Sequence, residues 1–205
     1  MAAIPRPVRL LGWASLFTDA ATEMIYPLLP VYLSRVLGAG ALGLLAVQVL
    51  KARGARVLAV SRSDRRLSLA RELGAEAVHS LTTGPGAEAA RKFSGREGVD
   101  LVVETAGTPE AVEEAMELAR PGGRVVLTGL PHEPSRVHFF WVVRRELTLV
   151  GSMIYQDEFP EAMRLLKAGA VKVEPLVTHR FALDAIQEAF AAHRSPESIK
   201  VAVIP

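Results

Sequence analysis

Short apolar runs alternate with helical periodicities from residue 33 to residue 170. Residues 33–37 read as a first strand. In residues 41–53, Leu42, Leu45, Ala46 and Val49 share one face at the 3.6-residue period, and Gly54 closes the helix. Residues 56–60 form a short apolar strand. Asp64 caps a helix that ends near Leu73, with Leu67, Ala70 and Leu73 inward and Gly74 as its stop. A brief strand follows at 76–79, a short helix at 87–93 and a strand at 99–104. Thr108-Pro109 opens a helix, since proline suits a first helical turn, and Pro121-Gly122-Gly123 breaks it. Strands at 124–128 and 147–150 and helices at 139–145 and 159–168 complete the series, which ends at Gly169. Strands alternating with helices of this length predict an α/β fold, a doubly wound parallel sheet with helices on both faces. Continuous apolar strands, rather than alternating ones, fit a sheet covered on both sides.

Composition narrows the function. The 205 residues are 50% hydrophobic and 22% charged, which excludes a disordered chain. There is no cysteine, so disulfides, thiol nucleophiles and cysteine-based zinc sites are excluded. The net charge of +2 is dispersed and aromatics are 6%, which argues against a nucleic-acid partner. The mean hydropathy of +0.24 is high, and the excess lies in the first fifty residues. Arg6 and Arg9 precede an apolar run from Leu10 to Leu50 that is interrupted only by Asp19, Glu23 and Arg35. The run is too long for a signal peptide and contains acids. Residues 24–34 are too short to span a bilayer and carry Pro27 and Pro30.

Gly38-Ala39-Gly40-Ala41-Leu42-Gly43 is a G-x-G-x-x-G motif after a predicted strand and at the opening of a predicted helix. In that setting it is the fingerprint of a Rossmann-like dinucleotide site. Its glycines allow the tight turn, the approach of backbone to a pyrophosphate, and close packing of helix on strand, with the anion on the helix N-terminus. The end of the second strand reads the ribose. NAD-binding sites carry an acid there, whereas this chain has Ser61 and Arg62 after Val60, with Arg65 and Arg66 close behind. Ser61 donates to a 2′-phosphate and Arg62 pairs with it bidentately, so NADP is favoured, with NAD as the alternative.

Two resemblances follow from these residues. T-D-A-A-T-E-M-I-Y-P-L-L-P from Thr18 resembles the first transmembrane helix of major facilitator superfamily transporters. Such transporters need many spans and nothing after Leu50 offers a second, so a transporter function is excluded. Residues 1–32 then read as a hydrophobic, non-functional N-terminal segment, with membrane association through it as the alternative to a cytoplasmic protein. The remainder resembles the C-terminal NAD(P)-binding part of zinc-type medium-chain alcohol and polyol dehydrogenases. The carrying motifs are V-L-G-A-G-A-L-G-L-L-A from Val36, R-E-L-G-A-E from Arg71, V-D-L-V-V-E-T-A-G from Val99 and R-P-G-G-R-V-V-L-T-G-L from Arg120. E-L-T-L-V-G-S from Glu146, P-L-V-T-H-R-F-A-L from Pro175 and I-Q-E-A-F from Ile186 extend the match.

The resemblance implies hydride transfer between an alcohol and nicotinamide, with zinc polarising the oxygen. It places Gly38, Gly40, Ala41, Leu42 and Gly43 at the pyrophosphate and Ser61 and Arg62 at the ribose. It places Thr105, Ala106 and Gly107 after the fourth strand, Thr128, Gly129 and Leu130 beside the nicotinamide, Ser152 and Met153 after the sixth strand, and Lys200 reaching the pyrophosphate. Residues 33–170 are the expected dinucleotide-binding domain, and 171–205 the remnant that in the family packs on the catalytic domain. That catalytic domain carries the family's zinc ligands, and the expectation is that this chain lacks it. No catalytic residue and no zinc ligand is therefore assigned. By the same resemblance His179 is interfacial or structural rather than a zinc ligand; His79, His132, His138 and His193, scattered without H-x-x-x-H spacing, read as surface residues, and Glu104, closing a strand, as structural rather than a base. Three readings remain open: a dehydrogenase cofactor domain incomplete as an enzyme, a non-catalytic NADP(H)-binding regulatory module, and a non-functional gene-fusion product. The expected partner is a nicotinamide dinucleotide, and a homodimer is left open.

Overall fold

A computed structural model describes residues 38–130, 133–153, 157–195 and 197–204. The elements run α1 (Gly38–Ala52), β1 (Leu58–Ser61), α2 (Asp64–Glu72), β2 (Ala77–Ser80), α3 (Gly86–Ser94), β3 (Val99–Glu104), α4 (Pro109–Leu118), β4 (Ala119–Leu127), α5 (Phe139–Arg144), β5 (Thr148–Gly151), α6 (Phe159–Lys167), β6 (Val177–Ala182), α7 (Ile186–His193) and β7 (Lys200–Ile204). The predicted alternation of strands and helices is present, with boundaries displaced by a few residues. The strand expected over 33–37 and the transporter-like segment lie outside the described residues.

Every strand pair is parallel. β1 pairs with β2 from Leu58↔Ala77 to Ser61↔Ser80. β4 lies between β3 and β5, with Leu101↔Arg124 on one side and Arg124↔Thr148 on the other. β6 and β7 form a separate pair near the C-terminus. This is a Rossmann-like α/β arrangement of parallel strands connected through helices.

Three local departures from the sequence reading have physical causes. The cap of α2 is Ser63, in extended backbone, whose Oγ accepts the Arg66 N–H at 3.4 Å. Asp64 is instead the first helical residue, where its charge complements the helix dipole. Pro121-Gly122-Gly123 lies inside β4 rather than in a gap before it. Val99 pairs with Ala119 and Leu101 with Arg124, so the intervening β4 residues bulge outward. α1 already includes Gly38 and Gly40, so no glycine of the motif needs a positive φ.

Two apolar clusters hold the layers. Ala41, Leu44 and Val47 of α1 pack with Val57, Ala70, Leu176 and Ile199. Ala90 of α3, Val102, Ala115, Leu118 and the fully buried Val125 form the other. Gln48 fastens the later chain to α1. Its buried amide donates to Lys172 O at 3.1 Å and accepts from Lys172 N at 2.7 Å, as a neighbouring strand would.

Candidate functional site

Loops at the carboxyl ends of parallel strands are where an open α/β sheet binds ligands. Here described residues of α1, β1 and β3 line one cavity. Its apolar lining includes Val57, Leu58, Leu101 and Val102. Its mouth is polar and gathers Gly40, Gly43, Ser61, Arg62, Arg66 and Thr105. The start of α1, the end of β1 and the end of β3 therefore converge, as the motif spacing predicts.

The glycines of α1 serve close approach. A Cβ on Gly40 would lie 2.5 Å from Arg66 Nε and 2.9 Å from its Cζ, so the guanidinium rests on bare backbone. A Cβ on Gly43 would lie 3.0 Å from Thr105 Oγ1, at the end of β3. Arg66 Nε is buried and has no hydrogen-bond partner among the described residues. Such an atom is rare in folded proteins and marks a place for a missing acceptor.

The neighbouring cations are engaged differently. Arg62 is exposed directly after Ser61. It faces Glu110, whose carboxyl sits below its ordinary value first through its own backbone N–H, then through Thr108, with the Arg62 charge contributing. Arg65 Nη1 lies 2.9 Å from Glu197 Oε2. Ser61 Oγ accepts the Ser63 N–H at 3.1 Å, which turns the chain from strand into helix.

A second cluster adjoins the first. Glu104 Oε1 accepts Ala106 N–H at 2.6 Å and Gly107 N–H at 2.8 Å. The Glu104 carbonyl accepts Thr128 N–H at 2.9 Å, Thr128 Oγ1–H at 2.6 Å and Gly129 N–H at 3.1 Å. One residue thus ties the loop after β3 to the loop after β4. Gly107 is in the left-handed region at φ 67° and packs on the Leu130 backbone. Ser152 and Met153 are exposed beyond β5, with Ser152 N–H bonded to Leu127 O at 2.9 Å.

Of the residues singled out by sequence, Gly40, Gly43, Ser61, Arg62, Thr105 and Ala106 line the cavity. Gly107, Thr128, Gly129 and Leu130 form the adjoining loop pair. Gly38, Ala41 and Leu42 belong to the first turns of α1, Ala41 buried and Leu42 exposed. Lys200 is half-buried on β7, where burial pushes its amine down, and it is not among the described residues lining the cavity. His79 Nε2 sits 3.0 Å from Gly84 O, and His179 stacks on Phe181. Among the described residues no three His, Asp or Glu side chains are grouped to hold a metal ion. Sequence reasoning passed over Arg66 as a principal contact and Glu197 altogether.

Comparisons with known proteins bear on the family and the fold. Residues 41–168 match the model of a family described as zinc-binding dehydrogenase. The chain is 34% identical over 175 residues to an L-threonine 3-dehydrogenase of Bacillus velezensis, covering 83% of this chain and 50% of that protein. It is 34% identical over 169 residues to human sorbitol dehydrogenase, covering 81% and 47%. A zinc-binding dehydrogenase of Sinorhizobium meliloti bound to NADP superimposes with a TM-score of 0.75 at 32% identity, over 82% of this chain and 51% of that one. An Escherichia coli alcohol dehydrogenase complexed with NADH gives a TM-score of 0.71 at 32% identity, over 81% and 49%. The chain spans about half the length of the relatives it matches. On the family match and these identities, the chain belongs to the zinc-binding dehydrogenase family.

Proposed function

We propose that the chain binds a nicotinamide dinucleotide at the cavity mouth and prefers NADP(H) to NAD(H). The observation that carries this is the buried Arg66 Nε, without a hydrogen-bond partner among the described residues, lying on the Cβ-free backbone of Gly40, beside Ser61 and Arg62. A cationic donor without an acceptor, over a glycine at a helix N-terminus, fits a phosphate. Residues 33–170 form the dinucleotide-binding unit on this reading, and 171–205 the part that packs against the remainder of a dehydrogenase. When bound, the nicotinamide supplies hydride transfer to or from an alcohol carbon. The chain's own residues hold the pyrophosphate at Gly40 and Gly43 and read the ribose and its 2′-phosphate at Ser61, Arg62 and Arg66. The loops at 105–107 and 128–130, joined by Glu104, carry the far end of the cofactor.

The test is a fluorescence titration with NADPH and NADH. An arginine–phosphate contact contributes roughly 1.5–3 kcal/mol, so NADPH should bind at least about tenfold tighter. Ser61→Asp should reverse the order by repelling the 2′-phosphate and accepting from a ribose hydroxyl. Equal or NADH-favouring binding by the unmodified chain refutes the NADP assignment. We further propose that this chain alone binds cofactor without turning over alcohols. The absence of cysteine from its sequence and of a metal-binding group among its described residues supports that reading. One zinc per chain, with alcohol-dependent NADPH formation above background, contradicts it.

A further inference from the structure

Glu197 lies in the turn between α7 and β7, far from the glycine motif in sequence, yet it lines the same cavity mouth. Its Oε2 is 2.9 Å from Arg65 Nη1. Its described neighbours are held by hydrogen bonds and packing. Ile199, two residues on, is 3% exposed in the cluster shared by α1, β1 and α2, and its N–H donates to Thr178 Oγ1 at 3.1 Å. Ser198 N–H donates to Ser195 O at 3.0 Å, and Glu197 N–H to Ser195 Oγ at 3.3 Å. The carboxylate is therefore delivered to Arg65 from an anchored turn rather than from a free tail.

Three arginines surround the ribose-reading end of β1, and their engagement differs. Arg66 keeps a free buried donor, Arg62 faces Glu110, and Arg65 is taken by Glu197. A carboxylate and a phosphate oxygen are alternative acceptors for the same guanidinium. We propose that Glu197 is a specificity-determining residue, a built-in competitor that holds Arg65 away from the 2′-phosphate of the dinucleotide and narrows the preference for NADP(H). The inference rests on the cofactor reading above and adds to it a residue of the C-terminal segment. Glu197 acts in two ways of the same sign. It occupies a phosphate-binding cation, and its own charge repels the incoming phosphate. NADH has no 2′-phosphate and feels neither effect at that position.

The experiment titrates NADPH and NADH into the full chain carrying Glu197→Gln, Arg65→Gln, or both, at low and high salt. The pair is largely exposed, and exposed pairs contribute up to about 1 kcal/mol, so Glu197→Gln should tighten NADPH by up to about fivefold. NADH affinity should change less than about twofold, and the NADPH gain should shrink at high salt, where exposed charges are screened. In the Arg65→Gln background the part of the gain that comes from freeing Arg65 should vanish, leaving the smaller part that comes from the lost repulsion. An NADPH-to-NADH ratio unchanged by Glu197→Gln overturns the inference, as does a gain of the same size without Arg65. Failure of the unmodified chain to bind either nucleotide overturns the underlying cofactor reading instead.

Discussion

Replacing Glu104 with alanine isolates one side chain that ties two loops of the site together. Glu104 is 5% exposed, and its Oε1 accepts the Ala106 and Gly107 N–H groups at 2.6 and 2.8 Å. Alanine removes that acceptor and leaves both amides without it. Each unmet buried donor costs about 1–3 kcal/mol. Both amides are only partly buried, so water offsets some of that, and a total loss of about 2–4 kcal/mol follows. The bonds from Thr128 and Gly129 go to the Glu104 carbonyl and survive the substitution. Glu104→Gln is the control. Its single carbonyl oxygen can accept both amides, while its NH2 takes the place of Oε2, which has no partner among the described residues. That variant should lose less than about 1.5 kcal/mol, the scale of one ordinary hydrogen bond. Urea unfolding followed by circular dichroism reads both. With a slope of about 1–3 kcal/mol per molar, alanine should lower the midpoint by roughly 1–2 M at unchanged slope. A loss below about 1 kcal/mol for alanine, or equal losses for alanine and glutamine, refutes the assignment of those two bonds as the support of the loops.

Two further outcomes test other parts of the structure. The Glu161 carboxyl is held at about 2, against an ordinary 4.5, first by its hydrogen bond from Arg164, which outweighs the opposing effect of burial, and then by the charges of Arg164 and Arg53 and a hydrogen bond from Arg53. Its folded value is depressed, so its contribution to stability is complete above the ordinary value and is lost as pH falls toward 2. Glu161→Gln should flatten that part of the acid limb, and an NMR titration midpoint for Glu161 above 4 contradicts the pairing. Gly129→Ala should destabilise by about 1–3 kcal/mol, because the new Cβ meets Gly107 backbone and Glu104 Oε2, neither of which can move aside. Gly40→Ala meets only the end of the Arg66 side chain, so it should melt near the unmodified chain while weakening nucleotide binding; equal melting of Gly129→Ala with the unmodified chain counts against the close approach.

The fold was legible because parallel strands buried on both faces write themselves as apolar runs, and the helices between them carry proline and glycine at their ends. Thr108-Pro109 does open α4 as read, and the structure adds that Thr108 Oγ1 accepts Ala111 N–H at 3.3 Å. Choosing between Ser63 and Asp64 was not legible, since both residue types cap helices and only the backbone angle at position 63 decides. Arg62 was the natural reader of the ribose because it follows the strand. Arg66 was harder to see because its role depends on side-chain direction. Long side chains on a helix lean toward its N-terminus, so the guanidinium of Arg66, one turn into α2, is carried back over the start of α1. Glu197 lies 132 residues from Arg65, and no local pattern signals a pairing of that separation. Glu104 reads from sequence as structural, and the five bonds it accepts through side chain and carbonyl require the two loops to be seen together.

The arrangement at Gly40 and Arg66 is difficult to explain by folding alone. A glycine inside a helix is about 1 kcal/mol less favourable than alanine, and α1 includes Gly40 within its first turn. A buried donor without an acceptor costs a further 1–3 kcal/mol or so, and Arg66 Nε is such a donor. The two costs coincide in space because the missing Cβ is what lets the guanidinium lie there. Packing does not require it, since a shorter, apolar residue at 66 with alanine at 40 would fill the same contact without either cost. On the proposed reading an anion supplies the absent acceptor, and the same glycine that admits Arg66 admits the phosphate. A ligand that binds only the folded chain then returns the cost through mass action, about 2.7 kcal/mol at a hundredfold excess over its dissociation constant. That figure is of the size needed to offset the glycine and the orphaned donor together, which is the physical reason to read this corner of the fold as built for binding rather than for stability.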